Sequence, residues 1–154
     1  MTRDEELSAL CLACGACCDG TMYARVELDG EGDRDRVARR GLPILEEPSP
    51  SLAQPCAAHV DGRCTIYEDR PERCAGYRCE QHRSHERDGG SLEARLARVR
   101  GLRAVAARVA EARSRNTAPD ALDLAELGMR LRRDFGWKGA GAGKKETPPS
   151  ADPR

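Results

Sequence analysis

Eight cysteines carry the chemistry this chain could perform. Four fall close together, at Cys11, Cys14, Cys17 and Cys18, and four follow singly at Cys56, Cys64, Cys74 and Cys79. A CxxC spacing brings two sulfurs to one edge of a tetrahedral site, in which zinc lies about 2.3 Å from each sulfur. Here two such spacings overlap, Cys11 to Cys14 and Cys14 to Cys17, so the run reads as a chelating stretch. Sulfur-only sites suit zinc and iron-sulfur centres equally, and the identity of the metal stays open. Gly15 sits inside the second spacing, where access to positive φ lets the backbone wrap tightly. Neighbouring side chains of an extended chain point apart, so one of Cys17 and Cys18 could serve a second ion. His59 and His82 each lie three residues beyond a cysteine, and His85 three beyond His82. Any of the three could replace a thiolate, although with eight thiols present solvated loop histidines are the plainer reading.

Chemistry of this kind needs elements to position it. Leu7 and Leu10 stand on polar ground and predict a short helical turn at best before the cysteine run. The alternation of Met22, Ala24, Val26 and Leu28 with polar residues predicts a strand, closed by Asp29-Gly30. One or two helical turns are expected before Gly41. Pro43, Pro48, Pro50 and Pro55 then predict an irregular connector. Asp61-Gly62, between Val60 and Cys64, predicts a hairpin that brings Cys56 and Cys64 together. Asp69-Arg70-Pro71-Glu72 reads as a helix start capped by Asp69, presenting Cys74.

After Asp88-Gly89-Gly90 the pattern changes. Leu92, Leu96, Val99, Leu102, Ala106 and Val109 recur at helical spacing behind Ser91, a cap, and predict a helix to about Arg115. Thr117-Ala118-Pro119-Asp120 starts a second helix, expected to run to about Asp134, with Leu124, Leu127, Leu131 and Phe135 on one face. Two such faces joined by a short connection pack most simply as a hairpin. From Gly139 onward glycine, alanine, lysine and proline dominate and predict disorder.

Composition bounds the rest. The chain has 154 residues, and only 3% are aromatic, so a conventional core is under-supplied and metal crosslinks would compensate. Charge balances overall but not locally: residues 1–90 hold 12 arginines against 18 acids, residues 91–154 hold 14 basic residues against 8 acids. No apolar run approaches the roughly 18 residues of a membrane span. The acidic start, Met1-Thr2-Arg3-Asp4-Glu5-Glu6, is unlike a secretory signal, and a cytoplasmic location is expected, where clustered thiols bind metal or do redox chemistry. Nucleic acid is not an expected partner, because no aromatic platform accompanies the arginines; a protein partner of unknown identity is.

The spacing of all eight cysteines resembles the YkgJ-like cysteine-cluster family of zinc- or iron-chelating domains. The matching residues are Cys11, Cys14, Cys17 and Cys18, then Pro55-Cys56, Gly62-Arg63-Cys64-Thr65-Ile66-Tyr67, Arg70-Pro71-Glu72-Arg73-Cys74 and Cys79. The resemblance covers about residues 8–82 and implies that all eight thiols are candidate ligands for zinc or an iron-sulfur centre. It brings no settled reaction. A similar module occurs in a flagellin lysine methylase that looks like an iron-sulfur enzyme, but this chain is much shorter.

The expectation is therefore a small α+β protein. An irregular cysteine-rich metal-bound module with short strands and helical turns occupies residues 1–90, an α-helical hairpin packs on it over 91–137, and a disordered tail spans 138–154. Its expected function is metal binding, of zinc or iron, with an undetermined cellular role. The alternatives are an iron-sulfur redox protein, passing electrons or serving an oxidoreductase, and a metal chaperone. Binding is expected over catalysis; an enzyme would be of the iron-sulfur oxidoreductase kind.

Overall fold

A computed structural model describes residues 1–138. In chain order the elements are α1 (Arg3–Cys14), β1 (Arg25–Glu27), α2 (Gly30–Arg39), β2 (Ser51–Ala53), β3 (His59–Val60), β4 (Arg63–Cys64), a 3-10 turn (Tyr67–Asp69), α3 (Glu72–Gly76), α4 (Glu80–Asp88), α5 (Leu92–Ser114) and α6 (Ala121–Phe135). The fold is small α+β, and its contacts divide the described chain into two units: Met1–Cys14 with Arg78–Lys138, and Gly15–Tyr77.

The first unit is helical. Its α1 is a 12-residue helix where only a turn was expected, and it runs through Cys11 and Cys14. A reciprocal cap explains its start: Glu5 N donates to Thr2 Oγ1 at 3.2 Å, and Thr2 N donates to Glu5 Oε2 at 2.6 Å. Asp4, Glu5 and Glu6 crowd the first turn, where the helix dipole favours negative charge. Leu7 and Leu10 form its buried stripe. The nine-residue α4, between Cys79 and Gly89, was not expected at all. The long α5 starts as expected, with Ser91 Oγ accepting from Ala94 N at 3.2 Å, and α6 starts with Asp120 Oδ1 accepting from Leu122 N at 2.8 Å. Gly136, at φ +69°, ends α6 in a left-handed turn that glycine adopts without penalty.

Packing in this unit centres on α5, which contacts α1 and α6. Val99, Leu102, Val105 and Val109 are buried there with Leu131 and Phe135 of α6. The apolar face expected on α6 is buried only in its second half, since Leu124 is 41% exposed. Polar groups join the core through His85, which is fully buried. Its Nε2 meets Glu6 Oε2 at 2.7 Å, and its Nδ1 accepts from Arg95 Nε at 3.1 Å. Arg95 spends its other nitrogens on Ser84 Oγ and the Gly89 carbonyl, and Arg3 Nη1 donates to the His85 carbonyl at 2.6 Å. One satisfied network thus links α1, α4 and α5.

The second unit has little regular structure. β1 and β2 pair antiparallel with Val26 opposite Leu52, so the proline-rich stretch contributes a strand where a connector was expected. The strand expected over residues 21–28 narrows to Arg25–Glu27. Leu28, Val37 and Leu52 form a small core, with Leu42, Ile44 and Cys56 packed against it. Tyr23 and Tyr77 meet edge to face, ring centroids 5.5 Å apart. β3 and β4 form the expected hairpin, with Asp61 and Gly62 both at positive φ in its turn.

Asp33, fully buried on α2, is the polar centre of this unit. Its carboxylate accepts from Asp29 N at 2.8 Å and from Glu72 N at 3.1 Å, and pairs with Arg36. Asp69 does not cap α3 as expected. It pairs instead with Arg40, at 2.7 Å from Nε, and the first amide of α3 goes to Asp33. The stretch expected to be disordered from Gly139 lies outside the described residues.

Candidate functional site

The thiols divide between the units. Cys11 and Cys14 lie on α1 and Cys79 precedes α4, whereas Cys17, Cys18, Cys56, Cys64 and Cys74 belong to Gly15–Tyr77. All eight are reduced.

Within Gly15–Tyr77 the backbone folds tightly around Cys17 and Cys18. Gly15 turns at φ +63°, and its carbonyl accepts from Cys18 N at 2.9 Å and Asp19 N at 3.0 Å. A Cβ at Gly15 would stand 3.1 Å from His59 Cε1, so glycine is required for closeness as well as for φ. Cys56 N donates to the Cys18 carbonyl at 2.8 Å, and His59 N donates to the Cys56 carbonyl at 2.9 Å. The β3–β4 register then sets Cys64 opposite His59. Arg70 lies 3.8 Å over the Tyr67 ring and donates Nε to the Tyr67 carbonyl at 3.0 Å.

Electrostatics separates these thiols. The Cys17 thiol hydrogen-bonds to the Cys18 sulfur and holds Cys18 below its ordinary value against the opposing effects of burial and Asp19; the Arg70 charge helps. Burial pushes Cys56 up, with the negative charge of Cys18 and Cys64 adding to it. Cys74 is pushed up to about 12 by burial first, then by the same neighbouring thiols. Burial also raises Cys79, although the first amides of α4 pull the other way. One thiol is activated while three are suppressed. Arg70 adds a small lowering to Cys18 and to Cys74 alike, so the difference between them is set by the Cys17 thiol and by burial.

This arrangement overturns the metal reading. Among the described residues no group of three or more cysteine, histidine, aspartate or glutamate side chains is placed to hold a metal ion. The expected metal-bound module, the zinc, iron or iron-sulfur cofactor, and the functions built on them, from metal binding to iron-sulfur redox chemistry and metal chaperoning, are corrected accordingly. The physical reason is visible at the first motif. Cys11 and Cys14 stand in the last turn of α1, so their CxxC is helix and not the flexible loop that wraps an ion. The small apolar core and the Asp33 carboxylate help to hold Gly15–Tyr77 together.

Comparison of the chain with protein-family models, with curated proteins and with solved structures returns no match. The resemblance to the YkgJ-like family is therefore corrected too, since neither a matching family nor a convergent ligand set supports it. Among the described residues no helix is long and apolar enough to cross a membrane.

Proposed function

We propose that this chain is a reversible thiol redox protein in which Cys17 and Cys18 are the reacting pair. The reading is supported by the adjacency of Cys17 and Cys18 in the tight turn at Gly15, where the Cys17 thiol draws Cys18 below its ordinary value while burial raises Cys56, Cys74 and Cys79. The thiolate is the reactive form of cysteine.

With a peroxide, Cys18 attacks one oxygen and becomes a sulfenic acid as the second oxygen leaves as hydroxide. The Cys17 thiol then displaces the sulfenic hydroxyl as water, closing a disulfide, so that two electrons pass from the thiol pair to the peroxide. A dithiol reductant returns the pair to its starting state by two exchange steps. Consecutive Cα atoms are about 3.8 Å apart, shorter than the roughly 4.4–6.8 Å usual across a disulfide, so the bond formed is strained and readily reduced. Strain of this kind suits a signal that must be reset. The reading favours a reducing compartment such as the cytoplasm, where thiols persist between oxidation events.

Mass mapping of the protein after graded hydrogen peroxide tests it. The expected product has lost two hydrogens within the peptide carrying Cys17 and Cys18, and a dithiol restores it. Recovery of both residues in alkylatable form after oxidation of the other cysteines would remove the proposal, and a Cys18–Cys56 bond would transfer the resolving role to Cys56.

A further inference from the structure

A cleft of about 350 Å³ opens between α4, α5 and α6 in the helical unit. Its walls carry Glu80 and Gln81 from α4, Arg95 and Arg98 from α5, and Arg133 and Asp134 from α6. Opposite charges are thus mixed in a space the size of a small-molecule site.

Most of these charges are already engaged. Arg133 grips Asp134 through Nε and Nη2, at 2.9 and 3.0 Å. Glu80 lies 3.7 Å from Arg83 and from Arg87. Two groups are left over. Arg98 makes no direct ion pair or hydrogen bond with any described residue, although it faces the cleft, and its charge acts on Asp134 only at longer range. Gln81 is only 3% exposed, and while its Nε2 donates to the Asp134 carbonyl, its Oε1 is buried with no hydrogen-bond partner. A buried acceptor left unpaired costs about 1–3 kcal/mol, so its retention calls for an explanation. Arg95 sharpens the case: it is 9% exposed, and its guanidinium nitrogens meet His85, Ser84 and a carbonyl but no carboxylate.

The cleft therefore offers one cation with no direct partner and one unspent acceptor, on a side chain that also holds the Asp134 backbone carbonyl. A simple anion would answer only the first, and would meet Glu80 and Asp134 with like charge. A simple amine would answer only the second. We propose that the cleft binds a free α-amino acid, whose carboxylate pairs with Arg98 and whose ammonium donates to Gln81 Oε1 beside Asp134. Presenting Oε1 to the ligand turns the soft terminal amide torsion of the glutamine and gives up the Nε2 bond to the Asp134 carbonyl.

Calorimetric titration of the full chain with the standard L-amino acids tests the site, with propionate and ethylammonium as half-ligand probes. At least one amino acid binds with a Kd at or below about 1 mM, and both halves bind at least about tenfold more weakly. Arg98→Ala, at an exposed helical position, leaves the thermal midpoint unchanged and weakens that binding about tenfold or more. Gln81→Met weakens it as well and raises the Kd for the amino acid more than that for propionate. No binding by any amino acid at about ten times that concentration overturns the proposal, as does equal binding of propionate or full retention of affinity in Arg98→Ala.

Discussion

The Asp33 carboxylate on α2 accepts the backbone amide of Glu72, the first residue of α3, at 3.1 Å across 39 residues of chain. It does for α3 what a local cap does elsewhere, because Pro71 at the cap position has no side-chain donor or acceptor to offer. Asp33→Ala strands the amides of Asp29 and Glu72 together with Arg36, and is expected to lower the stability of Gly15–Tyr77 by about 2–4 kcal/mol in denaturant titration. Asp33→Asn keeps one acceptor and costs less. An unchanged unfolding midpoint in Asp33→Ala would show that this carboxylate is dispensable.

Thiol reactivity gives a second expectation. Cys18, held low by the Cys17 hydrogen bond, is alkylated by iodoacetamide with a half-point below 9.0, ahead of Cys56 and Cys74. Cys17→Ala removes the donor and moves that half-point up. Site-resolved alkylation against pH reads both, and an unchanged Cys18 profile in Cys17→Ala contradicts the assignment.

Stability should also fall in strong alkali through Cys74. Its folded value, about 12, lies above the ordinary 9.0, so the folded state keeps a proton that the unfolded state gives up. The stabilisation is whole below pH 9 and is lost as pH rises from 9 toward 12, by roughly 4 kcal/mol at most. Cys74→Ala or Cys74→Ser flattens that slope in denaturation followed between those pH values. The natural chain losing no stability there would count against the burial of this thiol.

Gly15→Ala should strain the turn that presents Cys17 and Cys18. The substitution forces an alanine to φ +63° and sets its Cβ against His59, costing about 1–2 kcal/mol from the left-handed backbone alone. The Cys18 half-point should shift at the same time, since the Cys18 and Asp19 amides both hang on the Gly15 carbonyl. Circular dichroism and the alkylation profile together separate a local effect from unfolding.

Much of the helical unit could be read from sequence, because its caps are local. Ser91 and Asp120 announce α5 and α6 through side chains that reach only two or three residues ahead. Thr2 and Glu5 made the same announcement for α1, but the neighbouring cysteine run invited a loop reading. CxxC places its two sulfurs three residues apart, a spacing that a metal loop and a helical turn share, so the motif alone could not choose. The second unit was harder for another reason. Its organising residue, Asp33, lies in a charged stretch that looks solvent-exposed until Asp29, Arg36 and Glu72 close around it. β2 hid among prolines because its pairing with β1 lies beyond any local pattern. The thiol site was half visible: Cys17 and Cys18 stood out by adjacency, whereas Arg70 gains its part only from the folded path that brings its charge to Cys18.

The imidazole of His85 has one further consequence. Because Arg95 Nε donates to Nδ1, that nitrogen must supply its lone pair, and the ring hydrogen is consigned to Nε2, where it faces Glu6. The ring is thereby an insulated coupling: it lets a carboxylate on the first helix steady a guanidinium on the fifth that it never meets. Loss of the Glu6 carboxylate would leave that tautomer as Arg95 sets it and strand the Nε2 hydrogen in the packed interior without an acceptor.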